Sequence, residues 1–293
     1  MFSSDILSAS TSFETCQDAY DSMTAATRGE PFRLGMPHMD AAGASRSWLL
    51  REACHLHWSH IAGEIGVGPT GFRDRSGARV LPSVIACTVN GDAARFQEDD
   101  EVRFRVVEVP SARNGWRSQI DLIGHHGAIV TAEILTSFAR RRGSSNARLE
   151  AADLEPLFAP DFAVREASRA ALLRRLGKAD RARVMFDPSE PHVVIPVIKG
   201  RHLNGVGLVY FTEMHDMIAA AEHKAVPEPI QSWPIRNRRV HFFGNLDAGD
   251  TLELTSYSGA LTLSPNSNVI VRSHARRASD NMVVAVAESI LGT

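Results

Sequence analysis

Polar and apolar positions alternate along residues 102–109, where Val102, Phe104 and Val106 face one way and Arg103 and Arg105 the other. A period of two marks a strand with one buried face. Residues 81–90, 116–123 and 128–138 carry further strand-like apolar runs. The Asn114-Gly115 pair predicts a tight hairpin turn, and Gly124 to Gly127 predicts another. Ahead of these strands the period changes. Over residues 45–65, Trp48, Leu49, Ala53, Leu56 and Ile61 recur at helical spacing, and Ser45 or Ser47 can cap the first amides. Gly63, Gly66, Gly68, Pro69 and Gly71 end that helix. Residues 31–36 predict a strand leading to it.

The same order returns in the second half. A strand is predicted over 193–198 and a helix over 210–221, with Tyr210, Phe211, Met214, Met217, Ile218 and Ala221 on its apolar side. Strands follow over 238–243, 251–263, 269–276 and 282–291. The turn at Ala278 to Asn281 matches Gly124 to Gly127 in position, and residues 100–104 match 249–253. Such recurrence predicts a diverged duplication: unit one over 31–142 and unit two over 191–293. A tail over 1–30, with a short helix around 14–27, precedes them. A linker over 143–190 joins them, with an extended crossover over 149–160 and a short arginine-rich helix over 165–176. Half-buried edge strands would otherwise stay unpaired, so the two sheets are expected to join into one antiparallel layer.

Composition narrows the class. The chain is 44% hydrophobic and 23% charged, which is globular. A net charge of -2 gives no global basic field for nucleic acid. No apolar run nears the roughly 20 residues of a membrane-spanning helix. The first dozen residues carry Asp5 and no basic segment, unlike a secretory signal. Cys16, Cys54 and Cys87 are too few and too widely spaced for a disulfide framework or a zinc site. A cytoplasmic protein with buried Cys54 and Cys87 is expected, with no metal, no nucleic-acid partner and no membrane.

The candidate chemistry gathers at the two loops that lead into the helices. Exposed amides at a helix N-terminus can hold a carbonyl oxygen that gains charge in a transition state. Gly43 in unit one, and Gly205 and Gly207 in unit two, permit such an approach or simply make tight turns. His38 and Asp40 point the same way if extended, and suit acid–base work, or a turn cap and a surface imidazole. Asn204 holds the comparable place in unit two, to bind a thioester or carboxylate or to shape its own turn. Ser45, Trp48, His57 and Tyr210 complete the expected substrate-binding set. His57 and His60 share a helix face without a third ligand at metal spacing, so His57-Trp58 is read as pocket lining. Arg140 to Arg142 and the Arg165 to Arg175 segment suit coenzyme phosphates, an acidic partner or open solvent. No phosphate loop, dinucleotide fingerprint or Gly-x-Ser-x-Gly elbow is present.

Gly35-Met36-Pro37-His38, Gly43, Trp48-Leu49-Leu50-Arg51-Glu52 and His57-Trp58 resemble LnmK-type proteins of polyketide biosynthesis. In the second half Asn204-Gly205-Val206-Gly207-Leu208-Val209-Tyr210-Phe211 and the run Phe243 to Asp250 agree. The resemblance spans roughly residues 31–291. It implies an α+β double hot dog fold and an acyltransferase/decarboxylase. That activity decarboxylates a malonyl or methylmalonyl thioester and transfers the acyl group to an acyl carrier protein. It further implies coenzyme A or phosphopantetheine thioesters as substrate, no tightly bound cofactor, and a channel of pantetheine width between the units near Gly43 and Gly205. A homodimer is compatible with it. A tyrosine in that family's N-terminal half has no counterpart: the chain's tyrosines are Tyr20, Tyr210 and Tyr257. A hot dog thioesterase or dehydratase, or a non-catalytic carrier-binding scaffold, are the alternatives.

Overall fold

The computed structural model describes residues 29–68, 71–74, 76–108, 111–112, 115–152, 167–184, 191, 193–259 and 268–292. The helix expected near 14–27, Asn114 of the predicted hairpin, most of the 149–160 crossover and the end of the 251–263 strand lie outside them.

Unit one opens with β1 (Phe32–Arg33), far shorter than the strand expected over 31–36, because a 3-10 turn at Met36–His38 follows at once. A small hairpin, β2 (Met39–Asp40) and β3 (Gly43–Ala44), leads into helix α1 (Arg46–Glu64). Then come β4 (Leu81–Asn90), β5 (Glu101–Glu108), β6 (Ser111–Ala112), β7 (Gly115–Ile123), β8 (Ile129–Arg141) and β9 (Leu149–Ala151). Helix α2 (Ala167–Val184) belongs to the linker and runs eight residues past the predicted end. Unit two holds β10 (Val193–Pro196), α3 (Lys199–His202), α4 (Phe211–Ala225), α5 (Glu228–Gln231), β11 (Ile235–Phe242), β12 (Thr251–Gly259), β13 (Asn268–Arg277) and β14 (Met282–Gly292).

One antiparallel sheet runs in the order β1-β5-β7-β8-β4-β11-β14-β13-β12-β10, with β6 and β9 attached at β7 and β8. Each unit contributes five strands to that path, in mirrored order. The seam is the β4–β11 pair, from Asn90 opposite Asn237 to Ala86 opposite His241. One face of the sheet buries α1 and α4, which pack on each other. Helix α1 is enclosed by sheet and by α4, so it buries residues all round, among them Leu49, Leu50, Ala53, Cys54, His57 and Ile61. Helix α4 is more one-sided, with Phe211, Met214, Met217, Ile218 and Ala221 inward.

The duplication is legible in the hydrogen bonds. The amide of Leu34 donates to the Asp100 carbonyl, and Val197 to that of Asp250. The amide of Gly35 donates to His38 Nδ1 at 2.8 Å, and that of Ile198 to His202 Nδ1 at 3.0 Å. The His38 carbonyl then accepts from Ser45, and the His202 carbonyl from Tyr210. Asp100 therefore matches Asp250, one residue away from the match expected from 100–104 and 249–253. The left-handed residues Asp99 (φ 69°) and Gly249 (φ 90°) align with that shift.

Helix α2 crosses the opposite face of the sheet and bridges the units. Ala170 and Leu173 pack on Ala86 and Leu135. Arg169 grips Glu133 through two hydrogen bonds of 3.0 and 2.9 Å, and Asp180 accepts from Arg239 of β11 at 3.2 Å. Gly177 lies against the His241 ring, where a Cβ would stand 2.8 Å from it. A glycine that weakens a helix in isolation here lets helix and sheet approach.

Under α4 lies a buried polar cluster. Arg238 pairs with Glu222 and donates to Ser289 Oγ at 2.9 Å, and Ser289 and Ser273 approach the same carboxylate. His57 lies twelve residues after Ser45, as Glu222 does after Tyr210. His57 meets Ser118 at 2.5 Å, so the two units put different polar groups in related core positions.

Candidate functional site

Two separate clefts hold four of the sequence-predicted residues: Asn204 and Tyr210 line one, His38 and Trp48 the other. The first lies between the units, about 210 Å³ in volume. Unit one supplies Trp58 of α1, Ser83 and Val84 of β4, Phe138 of β8 and Glu150 of β9. Unit two supplies Asn204, Leu208, Tyr210, Phe211 and Met214 around the start of α4, with Phe242 and Asn245 from the end of β11. Its lining mixes aromatic and aliphatic side chains with Ser83, Glu150, Asn204 and Asn245, as suits an acyl chain on a polar arm.

The start of α4 differs from that of α1. Ser45 caps α1 by accepting from the Trp48 amide at 3.4 Å. The residue in the same place before α4 is Tyr210, and no side chain caps that end. The amides of Glu213 and Met214 donate to the Tyr210 carbonyl at 3.0 and 3.3 Å, which leaves those of Phe211 and Thr212 at the positive end of the dipole. Next to the cap, α1 has Arg46 where α4 has Phe211. Whereas Phe211 lines the cleft, the nearly buried Arg46 guanidinium donates to the Ile235 carbonyl. Burial pushes its pKa down to about 10, and the Arg238 charge adds to this. Of two related helix ends, one carries a side-chain cap and a buried arginine, and the other borders the cleft between the units.

Tyr210 forms the wall of that cleft. Its hydroxyl is hydrogen-bonded to the buried thiol of Cys54. Burial first, and Cys54 beside it, push the phenol well above its ordinary value, and burial does the same to the thiol. Both stay protonated at neutral pH, so Tyr210 is a hydrogen-bonding group and Cys54 supplies no thiolate. Asn204 faces the cleft, yet its Oδ1 accepts from the amides of Val206 and Leu208, both at 3.1 Å, and holds the turn. Asn245 is committed to the backbone of Val209, at 2.8 and 3.0 Å. Glu150 pairs with Arg142 at 2.9 Å. Gly207 takes φ +76°, and its carbonyl accepts from Asn146. A side chain at Gly205 would meet open space.

The second cleft, about 370 Å³, lies on unit one and contains His38 and Trp48 with Phe32, Phe104, Glu30, Glu52 and His55. His38 Nδ1 is an acceptor, which places its ring proton on Nε2. Asp40 is exposed and accepts from the Ala42 amide at 2.8 Å, a turn cap. Gly43 has φ +109°, and a Cβ there would overlap the Ala93 carbonyl, so its freedom serves a backbone crossing. The expected group of His38, Asp40, Gly43 and Asn204 is thus divided: Asn204 lines one cleft, His38 the other, and Asp40 and Gly43 line neither. His57 lies buried beneath, its pKa lowered to about 3 by burial and by His60. Arg140 and Arg142 pair with Asp74 and Glu150, and Arg141 donates to the Val206 carbonyl. Arg46 escaped the sequence analysis, and Cys54 and Phe211 entered it only as apolar residues. The signal available was their place beside Ser45 and Tyr210.

No protein family matches the sequence, and no curated protein matches it either. Solved structures do match in shape. An acyl-ACP thioesterase from Bacteroides thetaiotaomicron superposes with a TM-score of 0.58 at 13% identity, over 90% of this chain and 96% of that one. The 12:0-ACP thioesterase from Umbellularia californica superposes at 0.59 and 13% identity, over 90% and 94%. At such identity the likeness concerns architecture. The chain has the α+β double hot dog fold.

Proposed function

We propose that this protein is an acyl-thioester enzyme that holds the thioester carbonyl at the open N-terminus of α4 and hydrolyses the thioester of a carrier-bound or coenzyme-bound acyl chain. The observation that carries the reading is the contrast between the two related helix ends. Uncapped amides gain most where charge develops on an oxygen in a poorly solvated slot. The acyl chain runs along Phe138, Met214 and Phe242, and the pantetheine arm leaves past Asn204 and Glu150. Water adds to the carbonyl, the carbon–sulfur bond breaks, and free acid and thiol leave. The thioesterases of the same architecture support this class of substrate, with acyl carrier protein or coenzyme A as the leaving partner.

A second reading follows from the resemblance to LnmK-type proteins: decarboxylation of a malonyl-type thioester followed by acyl transfer to a carrier thiol. The engagement of Asn204, Asn245 and Glu150 favours it, because losing carbon dioxide needs a polarised carbonyl and no nucleophile. Tyr210 would then stand on unit two in place of the tyrosine missing from unit one. Intact-mass analysis of a carrier protein incubated with this chain and acyl-, malonyl- and methylmalonyl-coenzyme A separates the readings. Free acid with an unloaded carrier supports hydrolysis, and a loaded carrier lighter by carbon dioxide supports the second. Unchanged thioesters throughout would overturn both.

A further inference from the structure

The cleft on unit one is built of groups that the thioester reading leaves unused. Its floor is aromatic: the Trp48 ring centroid lies 4.8 Å from His38, 5.8 Å from Phe104 and 6.1 Å from Phe32. Its rim carries the carboxylates of Glu30 and Glu52. Among the described residues no lysine or arginine lines it, and neither carboxylate is engaged in an ion pair. Aromatic faces are negative above the ring plane, so rings with nearby carboxylates attract a cation and repel a phosphate.

The fold does not require these residues. The duplication supplies a control within the same chain. Counted from the caps Ser45 and Tyr210, Trp48 corresponds to Glu213 and Glu52 to Met217. Counted from the paired Asp100 and Asp250, Phe104 corresponds to Leu254, and counted from Leu34 and Val197, Phe32 corresponds to Ile195. Unit two thus builds the same scaffold with one acid, aliphatic side chains and a methionine, and His202 there is buried. Among the described residues, aromatic rings with carboxylates around a cleft are peculiar to unit one.

We infer that the cleft formed by Phe32, His38, Trp48, Phe104, Glu30 and Glu52 is a binding site for an organic ammonium ion. The alkyl groups of the cation lie over Trp48 and Phe104, and its charge is balanced by Glu52. The site shares no lining residue with the cleft at α4, although the Glu52 charge is felt at Tyr210.

Calorimetric titration of the full chain tests this with choline and with 3,3-dimethylbutan-1-ol, which has the same shape without charge. Choline is expected to bind saturably, and the alcohol at least about tenfold more weakly. Glu52→Gln changes a half-buried carboxylate to its neutral isostere. It is expected to lower choline affinity about five- to tenfold while leaving the melting temperature unchanged. Trp48→Leu is expected to abolish the preference for choline over the alcohol. Equal binding of choline and the alcohol, wild-type affinity in Glu52→Gln, or no saturable choline binding below about 50 mM would each overturn the inference.

Discussion

Replacing Glu222 with glutamine tests how the core of unit two is held. Glu222 and Arg238 have side-chain exposures of 5% and 2%. Ser289 Oγ lies 2.9 and 3.0 Å from the two carboxylate oxygens, and Ser273 Oγ lies 3.3 Å away. Glutamine keeps the shape and one acceptor but removes the charge that balances Arg238. His215 beside Arg238 cannot balance the charge, because an imidazole is neutral or positive; burial and Arg238 lower its pKa to about 4 and keep it neutral. Leaving a buried charge unpaired costs about 3–5 kcal/mol. At about 2–4 °C per kcal/mol for a chain of this size, melting should fall by roughly 6–20 °C. The double variant Glu222→Gln with Arg238→Met removes the stranded charge and should regain most of that loss. Urea unfolding of the four species gives the coupling directly. A single variant within about 1 kcal/mol of wild type, or strictly additive losses, would refute the view that the pair is needed because each charge strands the other.

Acid should destabilise the protein through His57 and His215. Their folded pKa values, about 3 and about 4, lie below the ordinary 6.5, so their contribution is complete above pH about 6.5 and is lost as pH falls toward 4 and then 3. His57→Asn should flatten the fall in urea midpoint between pH 6.5 and 4.5, and an unchanged slope would count against the assignment. At Gly43, alanine meets both a positive φ and the Ala93 carbonyl and should cost at least about 2 kcal/mol. Gly205→Ala meets open space and should melt within a few degrees of wild type; equal effects at the two glycines would contradict the structure.

The strand period at Val102 to Val106 and the helical spacing at Trp48 to Ile61 were enough to place α1, its strands and the duplicated order, because each pattern is set by one buried face. The linker helix is longer than its local signal, because what holds its later turns is remote: Asp180 bonds Arg239, and Gly177, just past the predicted end, fits the His241 ring. The one-residue slip at Asp100 arose because the true markers, the left-handed Asp99 and Gly249, share conformation and not identity. The site was only half legible for a reason rooted in the duplication. His38 and Asp40 lead into one helix and Asn204 into the other, so related positions fall in different places and do not converge. What separates the two helix ends, Arg46 against Phe211 and Ser45 against Tyr210, is visible only once the units are superposed through their hydrogen bonds.

The central claim is that the open start of α4 activates a thioester carbonyl. Tyr210→Ala and Tyr210→Ser both remove the ring and phenol, and they differ by one oxygen. Serine there can accept from the Thr212 amide, which the residue-210 carbonyl does not engage, and so take the place of the substrate oxygen. The measurement is kcat/KM of the two variants and wild type on the acyl thioester that wild type consumes fastest. The account predicts that Tyr210→Ser is the more stable variant by about 1 kcal/mol and the slower one by at least about tenfold. Equal rates in the two variants, or a faster Tyr210→Ser, would contradict it.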